Sequence, residues 1–233
     1  MKIVAGVWVW GRPSKEATAR TAPSLPRPTP VPVREARPPQ IIAIGASTGG
    51  PPALQTILSA LPAHFPLPIL CVQHISAGFL PGLVNWLAAH CKVKVQIALS
   101  GETPRPGHVY FPPENTHLGV DGKGRLLAST EPAVGGHRPS VTATFRSVAA
   151  YYGDAGMGVL LTGMGRDGGE GMLSLAQAGA PTIAQDEATC VVFGMPRDAI
   201  ERGAARTVLP LGDIARALIE AAGRPSRTPG EKK

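Results

Sequence analysis

Long hydrophobic runs, paired cysteines and metal-binding histidine spacings are all missing from this sequence of 233 residues. No run reaches 18 apolar residues, so we expect no membrane insertion. The three cysteines form no CxxC pair, which excludes a disulfide framework and favours a reducing compartment, and we expect a cytoplasmic protein. None of the six histidines has HxxxH or Cys/His spacing, so we expect no metal and no metal cofactor.

The basic excess of the chain is confined to its two ends. Its formal net charge is +7, but residues 41–223 contain 12 basic and 13 acidic side chains. Because this central part is near neutral, we do not expect nucleic acid as a partner. With 43% hydrophobic and 17% charged residues, the chain can bury a sizeable core.

Proline sets the predicted domain boundaries. Eight of the 25 prolines lie within residues 13–39, a stretch that can form neither a helix nor a central strand. We therefore predict a proline-rich basic linker over 1–40, disordered by its composition, a single folded domain over 41–222 and a basic tail over 223–233.

Short apolar runs alternate with amphipathic stretches along the central part of the chain. This alternation predicts an α/β fold: a doubly wound, mostly parallel sheet with helices on both faces. Its functional groups should lie where the carboxyl ends of the strands meet loops. The predicted strands are 41–44, 68–72, 93–97, 109–111, 158–161 and 181–184; the predicted helices are 54–61, 83–90, 142–152, 170–178, 196–202 and 214–222, the last with Asp213 as N-cap and Gly223 at its end.

A GxSxG motif, Gly45-Ala46-Ser47-Thr48-Gly49, lies between a predicted strand and a predicted helix. In that context the small residues allow a sharp turn that exposes the Ser47 hydroxyl as a nucleophile. One alternative is a glycine-rich turn with an incidental serine. A phosphate or dinucleotide loop is disfavoured, because GK[ST] and GxGxxG spacings are missing and no acidic residue lies between Pro51 and Gly101.

A serine nucleophile needs a base, and His74 is the best placed histidine. It follows the strand 68–72, which should lie beside the first strand, so its ring would reach the same edge of the sheet. A loop histidine without a catalytic role is the alternative. The weaker candidates are His108 and His117; we interpret His64, His90 and His137 as surface or loop residues.

A carboxylate should orient the imidazole, and two aspartates follow predicted strands. Asp167 lies in the glycine-rich segment 162–168, and Asp186 follows the strand 181–184. Spacing alone leaves both open. Either gives the chain order Ser, His, Asp, which differs from that of the α/β-hydrolase fold.

Five segments together resemble the catalytic domain of the CheB family, the chemoreceptor protein-glutamate methylesterases of bacterial chemotaxis. The resemblance covers about residues 41–222 in collinear order. The segments are Gly45-Ala46-Ser47-Thr48-Gly49-Gly50-Pro51, Val72-Gln73-His74, Arg138-Pro139-Ser140-Val141, Leu161-Thr162-Gly163-Met164-Gly165-Arg166-Asp167-Gly168, and Ala184-Gln185-Asp186-Glu187 with Val191-Val192-Phe193-Gly194-Met195-Pro196.

The resemblance implies a role for each site residue. Ser47 would be the nucleophile, His74 the general base and acid, and Asp167, rather than Asp186, the orienting carboxylate. Backbone amides of Thr48 and Met164 would bind the oxyanion. The substrate would be a methylated glutamate on the cytoplasmic helices of a chemoreceptor, some members also deamidate glutamine, and no cofactor is needed.

Two departures from the family pattern affect these expectations. Members usually carry an amino-terminal receiver domain, whereas residues 1–40 are too few for one and contain no aspartate. Thr142 stands where an aspartate is often found. A non-catalytic receptor-binding module of the same fold is therefore the alternative function, with a hydrolase of small esters as a third; nothing in the sequence indicates oligomerisation.

Overall fold

The computed structural model describes residues 37–223. Nearly all of the predicted linker and the tail beyond Gly223 lie outside the described residues. Within residues 37–223, none of the helices combines the length and the apolar character that a membrane crossing requires.

A wholly parallel sheet forms the centre of the domain. Its strands, numbered in chain order, are β1 (Ile41–Ala46), β2 (Ile69–Gln73), β3 (Lys94–Ile97), β4 (His108–Phe111), β7 (Gly156–Leu160), β8 (Thr182–Gln185) and β9 (Thr207–Leu209). The spatial order is β3-β4-β2-β1-β7-β8-β9, and every pairing is parallel. The central strands are continuous apolar runs because both faces of the sheet are covered.

In the described part of the chain, six α-helices cover the two faces of this sheet and create two hydrophobic cores. They are α1 (Gly50–Ala60), α2 (Leu80–His90), α3 (Val141–Tyr152), α4 (Gly169–Gln177), α5 (Met195–Glu201) and α6 (Leu211–Ala222). Alternate residues of β1 enter opposite cores: Ile42 packs with the α1, α2 and α6 side, and Ile41 with the α3, α4 and α5 side. The predicted doubly wound α/β fold is confirmed.

Some local predictions were incomplete or wrong. An antiparallel hairpin of β5 (His117–Val120) and β6 (Leu126–Ser129) was not predicted, and neither was β9. Asp213 is not the N-cap of α6, which begins at Leu211 after Pro210. The helix starts earlier because Leu211 packs against the core, and Asp213 instead pairs with Arg216 at 3.1 Å in the first turn.

The topology brings three strand ends to one crevice. β1 lies between β2 and β7, so the loops that leave these three strands are neighbours at the carboxyl edge of the sheet. The chain changes direction across the sheet here, which is where open α/β sheets place their ligands. Ser47 follows β1, His74 follows β2 and Asp167 lies in the loop after β7.

Candidate active site

Ser47 occupies the turn that joins β1 to α1. Its backbone N–H donates to the Thr162 carbonyl at 3.0 Å, which ties the turn to the end of β7. Gly49 takes a left-handed conformation with φ 79°, and a Cβ there would lie 2.6 Å from the Val191 side chain. Glycine therefore permits both the sharp reversal and the close approach, and Ser47 stays partly exposed.

His74 is held beside this turn by the backbone and by a neighbouring glutamine. The His74 N–H donates to the Ala46 carbonyl at 3.0 Å. The buried side-chain amide of Gln73 donates to the carbonyl oxygens of Ser47 and His74, both at 2.8 Å. Gln73 thus connects the backbone at Ser47 with the backbone at His74. The sequence analysis named Gln73 only as part of a motif.

Asp167 is the carboxylate that meets His74. The distance from Asp167 Oδ2 to His74 Nε2 is 2.8 Å. Three further groups donate to the same carboxylate: the Ser140 hydroxyl at 2.8 Å, the Val141 N–H at 2.7 Å and the Thr142 N–H at 3.0 Å. All three belong to the amino terminus of α3, whose positive end favours a negative charge.

These contacts determine the charge of the carboxylate. Burial alone would raise the pKa of Asp167, but the hydrogen bonds from His74, Thr142 and Ser140 outweigh it and hold that pKa well below its ordinary value. Asp167 therefore remains ionised at neutral pH. It presents a fixed negative charge to the imidazole, which is the arrangement that stabilises a protonated histidine.

The alternative carboxylate has a different role. Asp186 also follows a strand, but its Oδ1 accepts from the Thr189 N–H at 3.1 Å and from the Thr189 hydroxyl. Among residues 37–223, no histidine bonds to Asp186. Of the two aspartates that spacing left open, Asp167 is the one that bonds to His74.

The other histidines divide into three groups. His64 and His90 are exposed, as predicted. His108 is the first residue of β4 and therefore lies at the amino edge of the sheet, opposite the carboxyl edge that carries the site. His117 is buried; its Nδ1 accepts from the Ser140 N–H at 3.2 Å while its Nε2 donates to the Pro132 carbonyl at 3.1 Å. It therefore supports Ser140 and is not a base.

His137 lies in the loop between β6 and α3, in agreement with its interpretation as a surface or loop residue, but its contact with the site was not predicted. Its ring stacks on that of His74, with centroids 4.3 Å apart and an interplanar angle of 11°. The residue is partly buried. No spacing signal in the sequence connects these two histidines, because a turn between β6 and α3 brings them together.

One ring nitrogen of His74 is not used by Asp167. No hydrogen bond joins Ser47 to His74 in the part of the chain described, but Asp167 uses only Nε2 and leaves Nδ1 available. Catalytic hydrogen bonds often tighten only when substrate binds. The arrangement can accept the serine proton at Nδ1 while Asp167 holds the other side of the ring.

Two backbone amides beside Ser47 are candidates for an oxyanion site. Within residues 37–223, the N–H groups of Thr48 and Met164 donate to no protein acceptor. Their loops are nevertheless fixed, since the Thr162 hydroxyl donates to the Thr48 carbonyl at 2.9 Å and the Gly163 N–H to the Val192 carbonyl at 3.0 Å. Free donors on a rigid backbone are what a developing oxyanion requires.

Metal binding does not fit this geometry, although the possible ligand atoms of His74, His137 and Asp167 lie within 4.8 Å of one another. The lone pairs of an imidazole lie in its ring plane, and the planes of these two rings are nearly parallel. They cannot converge on one ion. The Asp167 oxygens are moreover occupied by protein donors.

Cysteine chemistry does not compete with the serine. Burial raises the pKa of the Cys190 thiol to about 11, and it raises the pKa of the fully buried Cys71 further. Both side chains stay protonated at neutral pH, and a protonated thiol is a poor nucleophile.

Comparison with known proteins identifies the family of this chain. Residues 42–218 match the family model described as CheB methylesterase. The chain belongs to the CheB methylesterase family. The crystal structure of the Thermotoga maritima CheB methylesterase catalytic domain matches with a TM-score of 0.75 at 40% identity, covering 78% of this chain and 98% of that one.

Curated members of the family are similar over the same region. A protein-glutamate methylesterase/protein-glutamine glutaminase of Nitrosospira multiformis is 49% identical over 181 residues, which is 78% of this chain and 51% of that protein. A Myxococcus xanthus protein of the same name, numbered 4, is 50% identical over 203 residues, 87% of this chain and 58% of its own. The protein-glutamate methylesterase FrzG, also of Myxococcus xanthus, is 45% identical over 83% of this chain and 59% of its own. The chain spans about half the length of these curated relatives.

Proposed function

We propose that residues 41–222 form a serine esterase that removes methyl groups from glutamate side chains of chemoreceptors and releases methanol. The observation that carries the proposal is the hydrogen bond between His74 and Asp167 beside the Ser47 turn, at one edge of the sheet. The names of the relatives, protein-glutamate methylesterase/protein-glutamine glutaminase, indicate a methylated glutamate of a protein as the substrate class. Because the chain spans only about half the length of those relatives, we propose the chemoreceptor substrate on the basis of these names and of the site together.

In the first half of the reaction, Ser47 Oγ attacks the γ-ester carbonyl carbon and His74 Nδ1 takes the hydroxyl proton. The carbonyl oxygen becomes negative and accepts hydrogen bonds from the amides of Thr48 and Met164. Asp167 holds the imidazolium through Nε2. The tetrahedral intermediate then collapses, and methanol leaves with the proton from His74.

In the second half, water hydrolyses the glutamyl ester of Ser47. His74 takes a proton from the water, whose oxygen attacks the acyl carbon, and then returns the proton to Ser47 Oγ. The products are the free enzyme and a glutamic acid side chain, which loses its carboxyl proton to solvent and becomes a carboxylate at neutral pH. No redox change occurs, and the protons of the two acyl-transfer steps move through the same imidazole.

A protein substrate is supported by apolar side chains around the crevice. Met164 is 73% exposed in the loop after β7, and Val191 is 67% exposed where it covers Gly49. Large apolar side chains clustered at a polar crevice are typical of a surface that contacts another protein. We propose that they contact the cytoplasmic helices of the receptor and that the activity is therefore cytoplasmic.

Deamidation is a second proposed activity, because the names of the relatives include protein-glutamine glutaminase. The same acyl-enzyme would form from a glutamine side chain, with ammonia leaving in place of methanol and carrying the proton from His74. Ammonia release from receptors that carry glutamine at the modified positions measures this activity separately.

The test measures methanol released from methylated receptor membranes. We expect release by the wild type and by Ser76→Ala, which alters an exposed serine near the site, and none by Ser47→Ala. A fluorophosphonate probe should label the wild type at Ser47. Stable receptor binding without labelling or methanol release would instead favour the non-catalytic module, and faster turnover of small esters than of receptor would favour a small-ester hydrolase.

A further inference from the structure

The imidazole of His137 lies face to face with the imidazole of His74, at 4.3 Å between centroids and 11° between planes. Its Nδ1 is buried and has no hydrogen-bond partner within the described range, 37–223. Buried polar atoms normally find a partner, so an unpaired one needs an explanation. The roles derived above for Ser47, His74 and Asp167 do not use this residue.

The local backbone fixes where His137 lies. Val134 and His137 exchange two backbone hydrogen bonds, of 3.1 and 3.0 Å, across Gly135 and Gly136. These glycines have φ values of 58° and 83°, which a tight turn of this kind requires at both central positions. The turn therefore fixes the position of His137, the residue at its end.

The next residue strengthens this placement. Arg138 Nε donates to Asn115 Oδ1 at 2.9 Å, and its Nη1 donates to the Thr130 carbonyl at 3.0 Å. Ser140, two residues further along, bonds to Asp167. His137 is thus held from both sides, and its ring stays against His74 although Nδ1 gains no hydrogen bond.

The His74 ring needs a second contact to fix the orientation of its plane. The ring is attached to Cβ through Cγ and is hydrogen-bonded to Asp167 through Nε2, so it can still rotate about the line that joins Cγ and Nε2. Such a rotation would change the direction in which Nδ1 points. A flat ring packed against one face blocks it, because His74 would have to leave the stack in order to turn.

Two other roles for His137 do not fit the geometry. Metal ligation fails because the planes of the rings are nearly parallel. Proton transfer between the two histidines fails because stacked rings face each other with their π surfaces, whereas N–H groups and lone pairs point along the ring planes. What His137 presents to His74 is a flat surface.

We infer that His137 is a positioning residue that holds the plane of the His74 ring so that Nδ1 faces Ser47. The expected effect of His137 on catalysis rests on the proposed function, whereas its effect on the orientation of the His74 ring does not. The inference requires that a flat side chain, with or without nitrogen, be sufficient at position 137.

The experiment compares His137→Phe, which retains a flat ring, with His137→Leu, which retains apolar volume without one. We expect kcat for methanol release to fall by ~10- to 100-fold in His137→Leu, as for a misplaced catalytic group, and to stay within about threefold in His137→Phe, with KM little changed in both. His108→Ala is the matched control, because His108 also stacks on an aromatic ring, that of Tyr110, but at the opposite edge of the sheet.

A second measurement does not depend on the substrate. The proton between His74 Nε2 and Asp167 should give a deshielded NMR signal that persists in His137→Phe and broadens or disappears in His137→Leu. Equal kinetics and equal spectra for Leu and wild type would overturn the inference, as would a Phe variant as impaired as Leu, since nitrogen would then be required. If wild type releases no methanol, the proposed function fails while the spectra still decide the role of His137.

Discussion

The side-chain amide of Gln73 donates a hydrogen bond of 2.8 Å to the main-chain carbonyl of Ser47. Its second proton bonds to the His74 carbonyl at the same distance. Because both neighbours are acceptors, only the nitrogen of the amide can face them. One side chain therefore couples the loop after β1 to the loop after β2.

Replacing Gln73 with leucine should damage both stability and catalysis. The carbonyls of Ser47 and His74 would lose their donor, at a cost of about 1–3 kcal/mol for a buried group left unpaired. We expect kcat to fall by ~10- to 100-fold as the two loops move apart. Urea unfolding and methanol release measure the two effects, with Gln177→Leu at the exposed end of α4 as control; unchanged kcat would contradict the coupling.

Asp167→Asn and Asp186→Asn separate the two aspartates that spacing could not distinguish. An asparagine at position 167 presents donors where His74 and the α3 amides also donate, so we expect kcat to fall by ~10⁴-fold, as in other serine triads. Asp186→Asn should retain most activity, because within residues 37–223 the Asp186 carboxylate bonds only to Thr189. Equal loss in both variants would refute the assignment.

The stability of the domain should depend on Asp167 at acid pH. Its pKa in the folded protein lies below the value of about 3.9 for an unfolded chain, so the ionised carboxylate stabilises the fold above that value. This contribution is lost as the pH falls toward the lower, folded-state pKa. We expect the free energy of unfolding to fall below about pH 4 more steeply in wild type than in Asp167→Asn, measured by urea unfolding across the acid range. Parallel curves would contradict the expected sign.

Gly163→Ala should displace the loop that carries the Met164 amide. A Cβ at Gly163 would lie 2.8 Å from Ser47 Cβ and would overlap Met195 Sδ. Loss of one oxyanion donor typically costs about 10²–10³ in kcat. Gly82→Ala in α2 is the control, since a Cβ there meets nothing within 4 Å. Steady-state methanol release distinguishes them, and a fully active Gly163→Ala would argue against this oxyanion site.

The parts of the fold that could be predicted are those whose signal is local. The apolar runs of β1 and β2 and the helical spacing in α1 predicted the strand ends that carry Ser47 and His74. The hairpin of β5 and β6 was missed because each strand has only four residues, although Asp121-Gly122 between them is a typical hairpin signal.

Contacts between distant segments could not be predicted from spacing. The stack of His74 on His137 depends on the turn at Gly135-Gly136, and the support of Ser140 by His117 depends on where the hairpin packs against α3. Such partners are set by tertiary packing and carry no periodic pattern. The choice of Asp167 over Asp186 is of the same kind, and only the resemblance to a family indicated it.

Three of the four donors to Asp167 come from the start of α3, so the carboxylate that aligns the base also anchors a helix to the sheet. A nascent or partly melted chain in which α3 is detached has no oriented imidazole. Under the proposed function, ester turnover would then report the integrity of the whole domain, and newly made molecules would hydrolyse no ester until their tertiary structure is complete.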